Sequence, residues 1–289
     1  MTNDAIKNIV RKIESLPTLP TTYSRINELM NRPTTCAMDI ADVISRDQVL
    51  TARLLKLVNS AFYGFSGKIK TVSGAVVVLG FKAIKSLVLS SSVLDLFKEK
   101  EANPLFEPVS FWKHSLAVAA CSKLIAKYLD YDDPEEFFVA GLLHDIGKII
   151  LNQFFKQEFY EVLVFSRKEK ITLVEAEMQK FQACHSDTGL LLCEKWRLPD
   201  CVKEAVAYHH SPEAFQNYPL FPSVVHLADI LVKSMELGSS GDPFVNMISN
   251  HAWTTLNIPL SQLEPIMQKL KIETMDIFNI LNPSFKGVL

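Results

Sequence analysis

Seven polar residues constrain this chain more than any other feature: His114, His144, Asp145, His185, His209, His210 and Asp229. They are scattered over more than a hundred residues, yet each lies in or beside an apolar stretch with helical spacing. Histidine and aspartate on core-like faces are unusual unless something pairs with them. A divalent metal centre is the simplest common partner for so many nitrogen and carboxylate ligands.

The rest of the composition agrees with a packed helical protein. Apolar residues make up 48% of the 289, and there are only 10 glycines, which favours an all-α fold over a loop-rich β fold. The net charge of −2 gives no whole-chain reason to expect a nucleic-acid or membrane partner. The five cysteines show no CxxC spacing, which argues against a zinc ribbon or thioredoxin motif. They are expected to be buried small hydrophobes in a reducing cytoplasm. The N-terminus lacks the basic and apolar regions of a signal peptide. No apolar run is expected to reach the roughly 20 residues of a membrane span.

Helical periodicity predicts elements near 4–14, 21–31, 38–45 and 48–59, the last capped by Asp47. The run Ala75–Leu79 has strand propensity, but Gly80 and the apolar pattern from Phe81 to Phe97 favour two short-linked helices. A polar segment from Lys98 to Pro104 reads as a linker, giving an N-terminal lobe 1–98, a linker 99–109 and a second lobe 110–289. In the second lobe a helix covers about 110–129. The next starts with Asp133 as N-cap and Pro134 at N1. Thr172 with Glu175 forms a capping box. Further helices fit 184–196, 199–209, 223–237, 243–256, 260–268 and 272–281, with loops at 211–222 and 238–241.

His144-Asp145 follows the apolar run Phe137–Leu143, and the adjacent pair can converge on an ion at a helix edge. The carboxylate of Asp145 can also bridge two ions. Lys148 falls three and four residues later on the same expected face, where an ammonium suits a phosphate oxygen. Asp145 and Lys148 are therefore the candidate catalytic pair for metal-assisted hydrolysis, in which a bound water is acidified and charge is stabilised. Taken singly, each of these residues also fits a bland reading as core histidine, helix-end charge or solvated lysine. The conjunction favours a site, because the core-histidine explanation must succeed at five separate places. His226, three residues before Asp229, is expected to be structural or to support a ligand.

With their flanks, these residues resemble the HD metal-dependent phosphohydrolase superfamily. The matching pieces are His114, the stretch Gly141–Lys148 and Asp229 in Leu227-Ala228-Asp229. A closer resemblance, from about Leu16 to Leu281, is to the HDOD group of bacterial signalling outputs. It rests on Leu16-Pro17-Thr18-Leu19-Pro20, Ser45-Arg46-Asp47, Leu54–Gly64, Glu175-Ala176-Glu177, His185 with Gly189, and Trp196–Pro199 leading to His209-His210. The resemblance implies an HD-like helical bundle with a helical N-terminal lobe. It also implies a first ion held by His114, His144, Asp145 and Asp229. By similarity to the HD-GYP phosphodiesterases, His185, His209 and His210 would serve a second ion with Asp145 bridging, the metals being Fe, Mn, Ni or Zn. Those enzymes carry a glycine-containing loop after their paired histidines. Here Ser211–Pro219 has no glycine, which weighs against cyclic-dinucleotide hydrolysis.

From Gln48 to Leu94 there are six basic residues and no acidic one. Nucleic-acid binding is disfavoured, because helix 48–59 spends its turns on Leu50, Leu54, Leu55, Leu57 and Val58. The expected role is a cytoplasmic signalling output acting on a protein partner, or on a nucleotide or phosphorylated ligand. The alternative is a metal-dependent phosphohydrolase. Since 289 residues leave no room for a separate receiver domain, input is expected from a partner or ligand.

Overall fold

The computed structural model describes residues 18–60, 62–65, 67–96, 103–214 and 217–285. The stretch expected to be amphipathic at 4–14, residues 16–17 of the proline segment, Ala61, linker residues 98–102 and Phe215-Gln216 lie outside the described residues. The fold is all-α: among the described residues there is no strand, only an isolated bridge between Asn103 and Phe106. Two compact units divide these residues, one comprising 103–267 and the other 18–96 with 268–285.

The second of these units contains α1 (Thr21–Met30), α2 (Ala37–Ser45), α3 (Gln48–Val58) and α4 (Val72–Leu96). Asp47 caps α3 as expected, its carboxylate accepting from Leu50 N at 2.9 Å. The apolar faces of α1, α2 and α3 all pack on α4. Ile26, Ile40, Ile44, Val58, Ile84 and Val88 are fully buried there. Each such side chain contributes roughly 1.5–3 kcal/mol of burial free energy. Helix α4 breaks at Gly80 (φ 81°, ψ 166°), so 75–79 is helical rather than a strand. Only glycine takes that backbone conformation without strain. Contrary to the expectation that no run is long enough, Val72–Val93 satisfies the length and hydropathy of a membrane span (mean hydropathy 1.8). Half of that window is buried inside the protein, where it forms the floor on which α1–α3 pack.

The other unit is built on α5 (Pro108–Tyr128), whose residues from His114 to Ala126 are all buried. Glu107 caps it by accepting from Val109 N and Ser110 N, with Pro108 at N1. A helix apolar on every side belongs in the middle of a bundle. Around it lie α6 (Pro134–Leu143), α7 (Ile146–Phe154), α8 (Lys156–Glu169), α9 (Leu173–Phe181), α10 (His185–Lys195), α11 (Asp200–Tyr208), α12 (Leu220–Ser234) and α13 (Asn250–Leu256). Helices α6 and α12 pack on α5, and α10 packs on α7 and α11. The Thr172–Glu175 capping box opens α9 as expected.

Several boundaries differ from expectation. The helix expected over 243–256 begins only at Asn250. Upstream, the Phe244 amide donates to the Asp242 carboxylate at 3.1 Å and the Ser249 amide to His226 Nε2 at 3.0 Å. The Ser249 amide, which a helix over 243–256 would use in its ladder, is committed to His226 instead. Helix α12 starts at Leu220 rather than 223, and Pro222 sits in its first turn, where no backbone donor is needed. The two helices expected at 260–268 and 272–281 are one, α14 (Leu263–Phe285), preceded by a 3₁₀ turn at Leu260–Gln262. Lys269-Leu270-Lys271 contains no residue that breaks a helix. Not every cysteine is a buried hydrophobe: Cys36 is exposed and Cys184 half-buried. Both stand at helix N-caps, where Asp39 and Asp187 accept from their amides at 2.8 Å.

Candidate metal centre

The seven residues converge inside the unit built on α5. Their ligand atoms fall into two groups, His114, His144 and Asp229 in one, and Asp145, His185, His209 and His210 in the other, with the atoms of each group within 4.8 Å of one another. His114 comes from the buried face of α5 and Asp229 from α12. His185 opens α10, and His209-His210 ends α11. His144 and Asp145 are not on a continuous helix as expected. They occupy the break between α6 and α7, His144 ending one and Asp145 starting the other. That break frees the pair from the 100° separation of neighbours on a helix.

A close helix approach assembles the second group. A Cβ built on Gly147 meets the carbonyl oxygen of His185 at 1.8 Å and Gly189 N at 2.8 Å. Only glycine lets the start of α7 lie so near the start of α10. The approach sets His185 Nε2 3.0 Å from Asp145 Oδ1.

Around this point the distances are short. His114 Nε2 lies 3.1 Å from Asp229 Oδ1 and 3.9 Å from Asp145 Oδ2. His144 Nε2 lies 3.3 Å from Asp145 Oδ2 and 3.8 Å from Asp229 Oδ1. His209 Nε2 lies 3.6 Å from Asp145 Oδ1, and His185 Nε2 lies 3.0 Å from His210 Nε2. Three imidazoles are held from behind: Nδ1 contacts the Gly141 carbonyl in His144 (2.7 Å), the Val206 carbonyl in His209 (3.0 Å) and Glu177 in His185 (2.7 Å). A carbonyl acceptor keeps the proton on Nδ1, so Nε2 presents its lone pair inward.

The donor set fits a metal ion. His114 Nε2, His144 Nε2, His209 Nε2, Asp145 Oδ1 and Asp229 Oδ1 are buried atoms whose close contacts lack hydrogen-bond geometry. Buried polar atoms left this way cost roughly 1–3 kcal/mol each, and atoms so placed within the two groups are accounted for by a cation at each. Burial works against charge on both carboxylates, but His144, Lys148 and His185 hold Asp145 well below the usual range, and Lys233 and His114 do so for Asp229. Burial keeps His114 and His210 below the ordinary histidine value and pushes His209 down to about 4. For His144 burial is outweighed by Asp145, which raises it to about 9, and for His185 by Glu177.

Lys148 is buried, and its Nζ lies 2.6 Å from Asp145 Oδ2. His226 donates from Nδ1 to the His209 carbonyl at 2.7 Å and accepts at Nε2 from Ser249, so it braces a ligand from behind. Two more residues at the centre are not among the expected site residues, although Glu177 lies in the HDOD-like stretch Glu175-Ala176-Glu177. Glu177 is fully buried against His185, and Lys233 lies 2.9 Å from Asp229 Oδ2 and 3.7 Å from Asp242 Oδ2. Helical spacing does point to them: Glu177 is four residues after buried Leu173, and Lys233 four after Asp229.

An all-α unit wrapped around a buried cluster of histidines and aspartates defines the HD-related class of helical domains. The chain matches the HDOD domain model over residues 16–212 and belongs to that family. It is 29% identical to an HDOD domain protein of unknown function from Geobacter sulfurreducens, with a TM-score of 0.73 over 97% of this chain and 95% of that one. A protein provisionally named a phosphohydrolase, from Shewanella amazonensis SB2B, shares the fold at a TM-score of 0.75 and 21% identity, covering 94% of this chain and 97% of its own. Curated relatives include an uncharacterised protein of Treponema pallidum (strain Nichols), 23% identical over 79% of this chain, and YuxH of Bacillus subtilis (strain 168), 25% identical over 65%. The chain spans 44% and 47% of the lengths of those two.

Proposed function

We propose that this chain is a bacterial, cytoplasmic signal-transduction output module of the HDOD type. A buried metal centre of one or two ions (Fe, Mn, Ni or Zn) holds its signalling conformation. It acts through contact with a protein partner or through a nucleotide or phosphorylated ligand. The observation that carries this reading is the closure of the centre. His114, His144, Asp145, His185, His209 and Asp229 are each at most 3% exposed, and only His210 of the seven is half-buried. A shell this complete suits an ion that stabilises or senses more than one that meets substrate at every cycle.

The second reading, a metal-dependent phosphohydrolase, is favoured by Asp145 and Lys148. When bound, the ion would acidify a water. Asp145 would orient that water and Lys148 would steady phosphate charge. Against this, Lys148 is already engaged by Asp145, and the segment after His210 lacks glycine.

The readings separate by experiment. Protein purified in Mn²⁺- or Fe²⁺-containing buffer is analysed for metal, then assayed with bis-(p-nitrophenyl) phosphate and cyclic dinucleotides. Full occupancy without turnover is expected. Turnover abolished by Asp145→Asn would promote the hydrolase, and absence of metal would refute both.

A further inference from the structure

We infer that Glu177 is the positioning residue of the second ion site: it fixes the ring of His185 so that Nε2 serves as a donor. The inference rests on the metal reading above and deepens it. Glu177 is fully buried in α9, with Oε2 accepting from the His185 amide at 3.0 Å and from its Nδ1 at 2.7 Å. Its other oxygen has no hydrogen-bond partner among the described residues. Removing a carboxylate from water costs several kcal/mol unless something compensates, so a purely local role must justify that cost.

Helix capping does not. The start of α10 is already closed by Asp187, which accepts from Cys184 N at 2.8 Å. The ring contact of Glu177 is what remains unexplained by capping. It places the proton on Nδ1 and turns Nε2 to face Asp145 Oδ1 and His210 Nε2, each 3.0 Å away. His144 and His209 are oriented by neutral backbone carbonyls, of Gly141 and Val206. His185 instead leans on a charged carboxylate, which makes its ring the more basic ligand. Glu177 thus adds through His185 to the attraction for a cation that Asp145, shared with Lys148, supplies directly.

Glu177→Gln keeps the shape and one acceptor while removing the charge. Loss of such an orienting partner weakens metal affinity about 10–100-fold. Mn²⁺ titration of the full chain, followed by calorimetry and electron paramagnetic resonance, reads both sites. Wild type is expected to take two ions with a spin-coupled signal. Glu177→Gln is expected to keep one ion at wild-type affinity and lose the coupled signal. Glu177→Asp, with charge retained, is expected to fall between the two. It also supplies the test should Glu177→Gln not fold, as judged by circular dichroism. In a His185→Gln background, Glu177→Gln is expected to add nothing, since the two act as one unit. Unchanged second-ion affinity in the variants, or equal loss of both ions, would overturn the assignment. A wild-type protein that takes no Mn²⁺ or Fe²⁺ refutes the metal reading, and one that takes a single ion refutes the second site itself.

Discussion

Gly147→Ala tests whether the close approach of α7 and α10 builds the second half of the centre. The added Cβ would sit 1.8 Å from the His185 carbonyl oxygen, where real contacts do not fall below 3.0 Å. The obstacle is backbone, so no rotamer change relieves it. The two helix starts must separate by about 1 Å or more, taking His185 out of its 3.0 Å contact with Asp145 Oδ1. Overpacking of this kind costs about 1–3 kcal/mol and occasionally more. For a chain of this size each kcal/mol lowers the melting temperature by roughly 2–4 °C, so a fall of about 2–12 °C is expected. The same variant is expected to lose the second ion and keep the first. Gly67→Ala is the control, since nothing lies within 4 Å of its added Cβ and its φ is not positive. That change is expected to stay within about 0.5 kcal/mol. Thermal melts with metal analysis on both variants decide the matter. A Gly147→Ala protein that melts like wild type with full metal would show that the helix approach does not position His185.

Other outcomes follow from the same geometry. Lys233→Met leaves Asp229 and Asp242 buried without their cation and is expected to destabilise the protein by about 3–5 kcal/mol, measured by urea unfolding. Metal removal by chelator is expected to lower stability, because an ion that binds only the folded state at a hundredfold excess over Kd contributes about 2.7 kcal/mol. Identical melts with and without chelator would remove the ion from any structural role.

Much of this architecture is legible in the chain, and what is not has identifiable causes. Local caps locate α3 and α9 (Asp47, Thr172 with Glu175), and periodicity locates α5, whose start at Pro108 with its Glu107 cap falls inside the segment read as linker. The seven-residue centre is legible because histidines and aspartates interrupt otherwise apolar faces. The break at His144-Asp145 is not, since Phe137–Lys148 contains no breaker except small glycines and reads as one helix. It forms because the pair turns toward donors supplied by α5, α10, α11 and α12, a tertiary effect. The segment 243–249 misreads for the same reason: its Ser249 amide is claimed by His226, a partner that periodicity cannot see. Lys233 looks like an ordinary charged helix residue until the fold buries its side chain, and Glu177 is set apart in the sequence only by the HDOD-like stretch Glu175-Ala176-Glu177.

The route of access to the centre is where structure bears hardest on function. Six of the seven donors are sealed, and His210 is half-buried at the end of α11, directly before the segment 211–219. A ligand that meets the centre through His210 would also disturb His185, whose Nε2 lies 3.0 Å away, and through it Glu177 on α9. The adjoining His209 carbonyl is held by His226, which in turn anchors Ser249 at the start of α13. Two helices are thus tied to the second group by hydrogen bonds, α9 through Glu177 on His185 and α13 through His226 on the His209 carbonyl. Carboxylate and carbonyl partners behind metal-ligating histidines serve enzymes and regulators alike, so this bracing supports the metal centre itself, and turnover measured at full metal occupancy separates the two readings.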